Sequence, residues 1–365
     1  MNIIEPTLIV SKVQVLNNIN KIKSKAERNG IRFRPHFKTH QSIEVGKWLK
    51  KLGVKHITVS SVRMAECFAK AGWEDITIAF PVNILEIIRI NNLAKSIQLN
   101  LLVESVETIQ FLDEELQHDV DVWINIDTGY NRDGVAWDNH KDITRLAFQI
   151  NKTNKMKLVG ILTHAGHSYK ARSKKEILSV HEDTTNKMVE VQRKLQQDGF
   201  DGIQISVGGT PTASVAEDFS MVDEIRPGNF VFYDLKQVQI GSCSEEEIAI
   251  RFACPVIAKY EERNEILIDG GAIHFSKDHL LDAQGRIIYG YLSQPFNKEF
   301  SRIRDAHVSS ISQEHGTIEV SNNDFFQEIR VGDIVYIMPV HACLATNLMG
   351  KLITLTGKEI SVTCR

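Results

Sequence analysis

The sequence predicts an α/β fold in which a (β/α)8 barrel of the TIM type is followed by an all-β domain at the carboxyl end of the chain. Two observations predict the barrel: short β-rich runs alternate with amphipathic helical patterns, and eight such units follow one another before about residue 235. A third observation predicts the β domain, because from about Cys243 onward the runs are short, β-branched and bounded by turns. We expect the barrel over residues 1–240 and the β domain over residues 241–365, and the N-terminal strand could also join the β domain.

The predicted barrel strands are continuous apolar runs rather than strict alternations, as expected for strands that are covered on both faces. Helical stripes separate them: apolar residues recur at offsets of 0, 3, 4 and 7 from Val45 to Leu52, and Gly53 ends the pattern. An open, doubly wound sheet is the alternative arrangement. The predicted barrel strands are Ile31–Arg34, His56–Ser60, Asp75–Phe80, Gln98–Val103, Asp121–Asp127, Leu158–Thr163, Ile203–Val207 and Asp223–Arg226, and those of the β domain include Ala249–Ala258, Glu265–Ile268, Gly316–Val320 and Asp333–Ile337.

The composition indicates a cytoplasmic globular protein. The 365 residues carry a formal net charge of −3, and no basic stripe is interleaved with aromatic residues, which argues against a nucleic-acid partner. No apolar stretch approaches the ~18 residues that span a bilayer, and the N-terminal residues lack the basic and apolar regions of a signal peptide, so we expect no membrane partner. The five cysteines are few, scattered and odd in number, so we expect reduced thiols; they are Cys67, Cys243, Cys254, Cys343 and Cys364.

The segment Arg34–His40 places one lysine, Lys38, where an extended apolar run gives way to a helical pattern. A lysine at the end of a strand can be held away from bulk water, where its pKa falls and its amine becomes a nucleophile. The alternative is an ordinary solvated charge, as most lysines are. Location alone favours the solvated charge, and the segments that follow favour a catalytic lysine.

A glycine pair follows the seventh predicted strand, in the segment Ser206–Thr212. In a parallel barrel the reactive groups lie at the carboxyl ends of the strands, and phosphate usually binds near the loops after strands 7 and 8. Gly208 and Gly209 would let backbone N–H groups approach an anion, and Thr210 could add a hydroxyl. A plain turn is the alternative, but the position favours a phosphate cradle.

Polar side chains also follow the fifth and sixth predicted strands. After the fifth, Arg132 could stabilise a phenolate or a carboxylate; alternatively, Asp127 caps the next helix and Arg132 is solvated. After the sixth, two imidazoles and a phenol lie at one mouth of the barrel, from His164, His167 and Tyr169. A single histidine is usually structural, but two beside a glycine at a strand end favour a functional site.

The segment Met338–Cys343 places a histidine and a cysteine two positions apart in the β domain. On a strand, residues i and i+2 point to the same face, so His341 and Cys343 could bind one ion. Imidazole with thiolate favours zinc, although two protein ligands are fewer than the three that are usual at catalytic zinc. On spacing alone, a buried cysteine beside an unrelated histidine is the better interpretation.

In this order, the motifs resemble those of the D-threonine aldolase and D-serine dehydratase family of pyridoxal-phosphate enzymes, which is related to the alanine racemase barrel class (fold type III). The resemblance covers essentially the whole chain. Most of the motifs are weak singly, but their common order is specific. They are Pro35–His40, Asp127–Arg132, His164–Tyr169, Gly208–Thr212, Arg226–Asn229, Ser312–Gly316 and Pro339–Cys343.

The resemblance implies a role for each matching residue. Lys38 matches the lysine that holds pyridoxal phosphate as a Schiff base and exchanges protons at Cα. Arg132 matches the residue near the phenolic oxygen of the cofactor, and Tyr169 the phenol that faces the pyridine nitrogen. The remaining cofactor contacts, including the phosphate cradle, match His164, Gly208, Gly209 and Thr210. The metal ligands match His341 and Cys343, and the candidate bases are His164, His167 and His315.

The activity that the resemblance implies is that of a lyase dependent on pyridoxal phosphate and a divalent metal, acting on D-3-hydroxy amino acids like a D-threonine aldolase or a D-serine dehydratase. The His-x-Cys pair favours the dehydratase, whereas the compact length favours the aldolase. Zinc is the expected ion, with manganese or magnesium as alternatives, and a homodimer is expected by analogy. The alternative functions are an amino acid racemase of the alanine racemase class, a D-3-hydroxyaspartate dehydratase or aldolase, and a non-catalytic pyridoxal-phosphate-binding protein.

Overall fold

A computed structural model of the chain describes residues 2–296, 298–299, 301–321 and 323–365, without the side chain of residue 323. The strands are β1 (Thr7–Val10), β2 (Arg32–Phe33), β3 (His56–Val59), β4 (Asp75–Pro81), β5 (Gln98–Val103), β6 (Val120–Asp127), β7 (Val135–Ala136), β8 (Met156–His164), β9 (Gln204–Gly208), β10 (Glu224–Ile225), β11 (Ile250–Tyr260), β12 (Glu265–Asp269), β13 (Leu280–Leu281), β14 (Ile287–Ile288), β15 (Gly290–Ser293), β16 (Arg302–Ile311), β17 (His315–Val320), β18 (Ile334–Pro339), β19 (Lys351–Thr354) and β20 (Glu359–Ser361). The α-helices are α1 (Lys12–Arg28), α2 (Ile43–Lys51), α3 (Val62–Lys70), α4 (Ile87–Ala94), α5 (Val106–Glu115), α6 (His140–Asn151), α7 (Lys174–Gln197), α8 (Thr210–Val215), α9 (Leu235–Ile240), α10 (Ala272–Phe275), α11 (Asn323–Glu328) and α12 (Ala342–Met349). Among these described residues, no helix combines the length and the apolar character needed to cross a membrane.

The first sheet is the predicted parallel barrel. Its strands follow the order β3, β4, β5, β6, β8, β9, β10 and β2. The ring closes between β2 and β3, where the Phe37 N–H donates to the Thr58 carbonyl at 2.8 Å and His36 forms a parallel bridge with Thr58. Each predicted barrel segment overlaps one of these strands, so the barrel is confirmed and the open sheet is excluded.

Amphipathic helices cover the outside of the barrel. In α2, the predicted stripe is buried at Val45, Trp48 and Leu49. Serine side chains begin other helices just after barrel strands: Ser61 accepts a hydrogen bond from an N–H of α3, and Ser105 does the same for α5. These short, capped connections leave the strand ends clear at the mouth of the barrel.

The second sheet forms an all-β unit. The strands β12, β17, β16, β15, β18 and β11 run antiparallel and close into a ring, because β12 pairs with both β17 and β11. The N-terminal strand β1 joins this sheet, antiparallel to β11 and parallel to β19. The fold class is therefore confirmed, and the domain boundary between residues 240 and 241 stays our proposal.

The segment Met338–Cys343 is not the continuous strand that its sequence predicts. Strand β18 ends at Pro339, His341 occupies the N-cap position, and α12 begins at the next residue. The following run contains the good helix formers alanine, leucine and methionine, and Gly350 ends it in the left-handed conformation with φ of 68°. His341 and Cys343 are therefore neighbours at the start of a helix.

The prediction that all five cysteines are reduced is wrong for one pair. Cys67 in α3 and Cys364 form a disulfide with Cα atoms 5.5 Å apart, although 297 residues separate them in the sequence. The backbone N–H of Cys364 also donates to the carbonyl of Gln41 at 2.9 Å, so the C-terminal segment lies against the barrel. Composition could not predict this contact, because it depends on how the two ends of the fold pack.

Candidate active site

The carboxyl ends of the barrel strands and the start of α12 enclose a cavity of about 310 Å³. This is the edge of a parallel barrel at which active sites occur. The predicted site residues that line it are Lys38, Arg132, His164, Tyr169, Gly209, Thr210, His341 and Cys343. The lysine and the His341–Cys343 pair come from opposite ends of the sequence and share this one cavity.

Lys38 extends from the end of the first barrel strand into this cavity. Its side chain keeps a large accessible surface because the cavity is open, but the surrounding protein displaces much of the bulk water. This burial lowers the pKa of the ammonium group, the cations Arg132 and Arg226 lower it further, and Cys343 opposes them. The Gln41 side chain donates to the Lys38 carbonyl at 3.0 Å and supports the loop. At neutral pH more of the amine of a lysine in this environment is unprotonated, and so available as a nucleophile or base, than in a solvated lysine.

Two histidines lie near Lys38: His36 is buried and His164 is half-buried. Burial, together with the charges of Lys38 and Arg226, holds the pKa of His36 and of His164 well below the ordinary value. His36 Nδ1 accepts a hydrogen bond from the Lys38 backbone N–H at 3.3 Å, and the Tyr130 ring meets His164 edge-on with 5.7 Å between ring centroids. Both imidazoles are therefore neutral at pH 7, a state that suits packing against an aromatic cofactor.

The glycine pair ends β9, and α8 begins directly after it. Gly209 has a φ of 143°, and a side chain at Gly208 would come within 3.2 Å of Arg226, so neither position accepts a larger residue without a shift. Tyr169 forms a hydrogen bond with Thr210, and burial raises the pKa of the phenol, which stays protonated. The segment therefore offers close backbone and hydroxyl groups to an anion. Tyr169 contacts this cradle, whereas the resemblance assigns it to the pyridine nitrogen.

Arg132 lies at the rim of the cavity, between β6 and β7. Its Nε donates to Asp133 at 3.1 Å, and its guanidinium lies 5.2 Å from the centre of the Tyr130 ring. Asp127 Oδ1 accepts N–H bonds from three residues of this loop. Asp127 thus organises the loop that presents Arg132, while the next helix is capped by Asn139.

His341 and Cys343 contact each other at the start of α12. His341 hydrogen-bonds to Cys343, and its Nδ1 hydrogen-bonds to Asp278 Oδ2 at 2.7 Å. Burial lowers the pKa of His341, but Cys343, Asp234 and Asp278 outweigh it and raise the pKa to about 9. Burial raises the pKa of the Cys343 thiol, but His341 and the Thr39 hydroxyl, which lies 3.3 Å from Sγ, outweigh it and lower the pKa. The pair therefore favours the thiolate, the form of cysteine that binds metals.

The protein supplies part of a metal coordination shell at this pair. Within the part of the chain that the structure describes, no group of three or more His, Cys, Asp or Glu side chains is placed to hold a metal. Asn229 Oδ1 and Gln237 Oε1, both buried and both from residues that line the cavity, have no hydrogen-bond partner among the described residues. Asn229 Nδ2 donates to Asp234 at 2.6 Å, which fixes the orientation of that amide. The site therefore fits an ion whose shell is completed by solvent or substrate, and it holds free acceptors for a ligand.

One family model spans more than half of the chain: alanine racemase, N-terminal domain, matches residues 10–236. The chain belongs to this family. A second model, described as "Putative serine dehydratase domain", matches residues 249–355. The first match contains Lys38 and the second contains His341 and Cys343, so the two matched segments meet at the cavity.

Two named enzymes resemble this alanine racemase family member over nearly its full length. It is 28% identical to a D-serine dehydratase of Dictyostelium discoideum, over 94% of this chain and 91% of that protein. It is 29% identical to the D-threo-3-hydroxyaspartate dehydratase of Delftia sp. strain HT23, over 93% of this chain and 90% of that protein. The solved structure of the Delftia enzyme matches with a TM-score of 0.90 at 27% identity, covering 98% of this chain and 96% of that one. A cysteine-to-alanine variant of that enzyme has been solved in a metal-free form.

Two of the three candidate bases do not line the cavity. His167 lies in the short 3-10 turn Gly166–Lys170, where the charges that act on it most strongly are those of Asp183 and Lys187. His315 begins β17 and is exposed in the β domain. Of the three, His164 alone lines the cavity. Proximity of a residue to a strand end in the sequence does not determine the direction of its side chain.

The cavity also contains residues to which the sequence assigned no role. Arg226 and Asn229 belong to one of the motifs that carry the resemblance, and that motif was the available signal. Asp278 contacts His341 from outside the set of lining residues, and it gave no signal in the sequence because it lies in a loop 63 residues before that histidine. The further lining residues without a predicted role include His36, Asp234, Lys236 and Gln237.

Proposed function

We propose that this protein is a pyridoxal-phosphate-dependent lyase that acts on D-amino acids with a 3-hydroxyl group. The observation that carries the proposal is the shared cavity, which Lys38, the glycine–threonine cradle and the His341–Cys343 pair all line. The similarity to a D-serine dehydratase and to a D-threo-3-hydroxyaspartate dehydratase supports it over nearly the whole chain.

The residues of the cavity fit pyridoxal phosphate. Lys38 would hold the cofactor through its amine, and Gly209 and Thr210 would bind its phosphate. Arg132 and His164 would contact the ring from the rim and from the end of β8. The bound cofactor supplies an electron sink for charge that develops at the substrate Cα. A cavity of about 310 Å³ lies within the range of small-molecule sites.

Lys38 is the base that the cavity offers at Cα. Because burial lowers its pKa, more of its amine is unprotonated at neutral pH than in a solvated lysine. Arg226 stays charged although burial lowers its pKa to about 10, and its Nε donates to Ser206 Oγ at 2.7 Å. It therefore provides a fixed cation beside the site for an anionic group.

His341 and Cys343 would hold a divalent ion at the other side of the cavity, with Asp278 orienting His341 through Nδ1. Imidazole and thiolate favour zinc, and manganese and magnesium are the alternatives. Such an ion would supply Lewis acidity toward a hydroxyl group. The metal-free form of the Delftia variant supports a metal in this group of enzymes.

We infer dehydration rather than aldol cleavage. Dehydration requires removal of the Cα proton, and Lys38 is the base that lines the cavity for that step. Aldol cleavage requires a base for the hydroxyl proton. His167 and His315, which the sequence offered for that step, do not line the cavity, and burial holds the pKa of His164 well below its usual value. A racemase would need a second acid or base on the opposite face of the cofactor, commonly a tyrosine from the β domain. Among the described residues, the two tyrosines that line the cavity both come from the barrel, so a racemase is not favoured. The homodimer and the cytoplasmic location stay predictions of the sequence.

The test is to supply the protein, loaded with pyridoxal phosphate and zinc, with D-serine, D-threonine and D-threo-3-hydroxyaspartate separately. Dehydration releases ammonia and a 2-oxo acid, whereas aldol cleavage releases glycine and an aldehyde. We expect ammonia and a 2-oxo acid from at least one substrate, with no glycine and no reaction of the L-isomers. Glycine as the main product would show that the protein is an aldolase rather than a dehydratase. If none of the three substrates is converted, the proposed function is overturned.

The Lys38→Ala variant should lose both turnover and the absorption band of the lysine-bound cofactor, which lies at roughly 410–420 nm. Absorption spectra of the two proteins, prepared with the same excess of cofactor, measure this loss. Lys194→Ala is the matched control, because Lys194 is a partly exposed lysine of α7 that pairs with Asp198 and lies outside the cavity-lining set. If the band persists in the Lys38→Ala variant, Lys38 is not the lysine that binds the cofactor.

A further inference from the structure

Lys236 lies in the first turn of α9 and lines the cavity. Its backbone N–H donates to the Val340 carbonyl at 3.2 Å, which holds it next to His341. A cation in the first turn of a helix opposes the helix dipole, so helix stability does not explain a lysine at this position. A role toward a ligand in the cavity would explain it.

The ammonium group of Lys236 is available to a ligand. Its Nζ lies 3.8 Å from Asp278 Oδ2, beyond hydrogen-bonding distance, and its side chain is 39% exposed. The same Asp278 oxygen accepts the hydrogen bond from His341 Nδ1 at 2.7 Å. Among the described residues, no side-chain hydrogen bond uses the Lys236 donors. Asp278 thus attracts the Lys236 ammonium group toward His341 and Cys343 but leaves its N–H donors free to bind a ligand.

The position of Lys236 matches one part of the substrate. In the proposed function, His341 and Cys343 would hold the ion that acts on the hydroxyl group of Cβ, so the other substituent of Cβ would lie on the same side of the cavity. Cα lies at the cofactor, near Lys38, where Arg132 and Arg226 exert their charges. D-Serine carries only hydrogen as the further Cβ substituent, whereas a 3-hydroxy dicarboxylic amino acid carries a second carboxylate there.

We propose that Lys236 is a specificity-determining residue that binds the second carboxylate of a 3-hydroxy dicarboxylic D-amino acid. This inference rests on the proposed function and names the substrate class of the same site. An ammonium–carboxylate hydrogen bond in a partly enclosed cavity is stronger than a hydrogen bond between neutral groups. It would stabilise only a bound substrate that carries the second carboxylate. The dicarboxylate is therefore preferred over D-serine by this protein.

The experiment compares kcat/KM of the holoenzyme for D-threo-3-hydroxyaspartate and D-serine in the wild type, Lys236→Met and Lys236→Arg. The wild type should prefer the dicarboxylate. Lys236→Met should lower kcat/KM for it by about 10- to 100-fold, mainly through KM, because the contact is remote from the bonds that break. D-Serine should change by less than about threefold, and Lys236→Arg should keep most of the preference. Lys194→Met, at an ion-paired lysine whose side chain is about as exposed as that of Lys236, should leave kcat/KM unchanged for both substrates.

A second readout does not depend on turnover. D-Aspartate carries both carboxylates without the hydroxyl, and its binding can be titrated through the cofactor absorbance against D-alanine. The affinity ratio of D-aspartate to D-alanine should fall by about 10-fold or more in Lys236→Met. Equal losses for both substrates, an unchanged ratio, or a wild type that prefers D-serine would overturn the role of Lys236 while leaving the lyase function in place. A wild type that converts neither D-threo-3-hydroxyaspartate nor D-serine overturns this inference, and it overturns the proposed function as well if D-threonine is also not converted.

Discussion

Buried polar groups occupy both ends of the barrel, and the two clusters differ in how their charges and hydrogen bonds are matched. At the end where the strands begin, Arg34 Nε donates to Glu224 at 2.6 Å, and the rest of its guanidinium pairs with Asp75. At the mouth, the amide oxygens of Asn229 and Gln237 are buried without a partner among the described residues. The first cluster is complete in itself, whereas the second has capacity for a ligand.

The difference separates a structural cluster from a binding site. Buried polar groups are almost always paired, so unpaired acceptors together with groups of shifted pKa indicate a place where a ligand completes the structure. The two clusters are also connected: Ser206 Oγ donates to Glu224 at 2.7 Å and accepts from Arg226 Nε at 2.7 Å. The matched cluster therefore supports a cation that lines the unmatched one.

The largest effect is expected at the mouth, from Cys343→Ala. Removing the thiolate should lower lyase turnover by about 10³-fold or more, because the proposed ion would lose one of its two protein ligands, while cofactor binding is spared. Turnover and cofactor absorbance are measured in the same preparations. Cys243→Ala, at a free thiol outside the cavity-lining set, is the control. Unchanged turnover that also resists chelators would discard the metal role.

The next effect is expected at the opposite end, from Arg34→Met. Glu224 would keep Arg32 and Ser206, and Asp75 would keep His56 and Asn100. Both carboxylates would still lose the buried cation between them, which should lower the free energy of unfolding by about 3 kcal/mol. Urea denaturation measures it, and Arg28→Met, at an exposed pair with Glu217, should cost less than about 1 kcal/mol. Similar costs for the two variants would show that the buried cluster does not stabilise the fold more than an exposed ion pair does.

Lowering the pH should remove the stability that His40, His36 and His164 contribute before it removes the contribution of the matched cluster. Burial lowers the pKa of His40 to about 3 and holds those of His36 and His164 well below the ordinary value, so the unfolded chain binds more protons below about pH 6.5 and stability falls as pH falls. We expect a loss of about 1 kcal/mol per pH unit for each histidine between about pH 6 and 5. Asp75, with a pKa lowered to about 2 despite the opposing effect of burial, contributes stability that is lost only below about pH 4.

Urea unfolding of the cofactor-free protein between pH 7 and pH 5 measures this loss. His40→Gln should reduce the loss of unfolding free energy by about 1 kcal/mol per pH unit, which is the contribution of one histidine. The glutamine that replaces His40 does not titrate in the unfolded chain. A stability that is independent of pH across this window would contradict the assignment of neutral, buried imidazoles.

The smallest effect is expected from Asp278→Asn. The amide can still accept the hydrogen bond from His341 but lacks the charge, so zinc affinity should fall by about 10- to 100-fold with cofactor absorbance unchanged. Competition with a chromophoric chelator measures the affinity. Asp183→Asn, at an exposed aspartate of α7, is the control. Equal zinc affinity in both variants would leave Asp278 without a positioning role.

Local patterns in the sequence were sufficient to predict the barrel. Each strand and each amphipathic stripe involves residues only a few positions apart, as at Val45, Trp48 and Leu49, which α2 buries. The order of the motifs was sufficient to predict that Lys38 and Thr210 line the same cavity. The carboxyl ends of the strands meet at one edge of a parallel barrel, whatever the details of packing.

Tertiary structure decided the contacts between residues far apart in the chain. It placed His341 and Cys343 on a helix start, joined Cys67 to Cys364 and left His315 outside the cavity. Periodicity describes one element at a time, so it carries no information on which side chain of a second element comes within bonding distance. The sequence by itself thus determined the barrel and the chemical types at its mouth, and packing of the β unit against that mouth decided which of them act together.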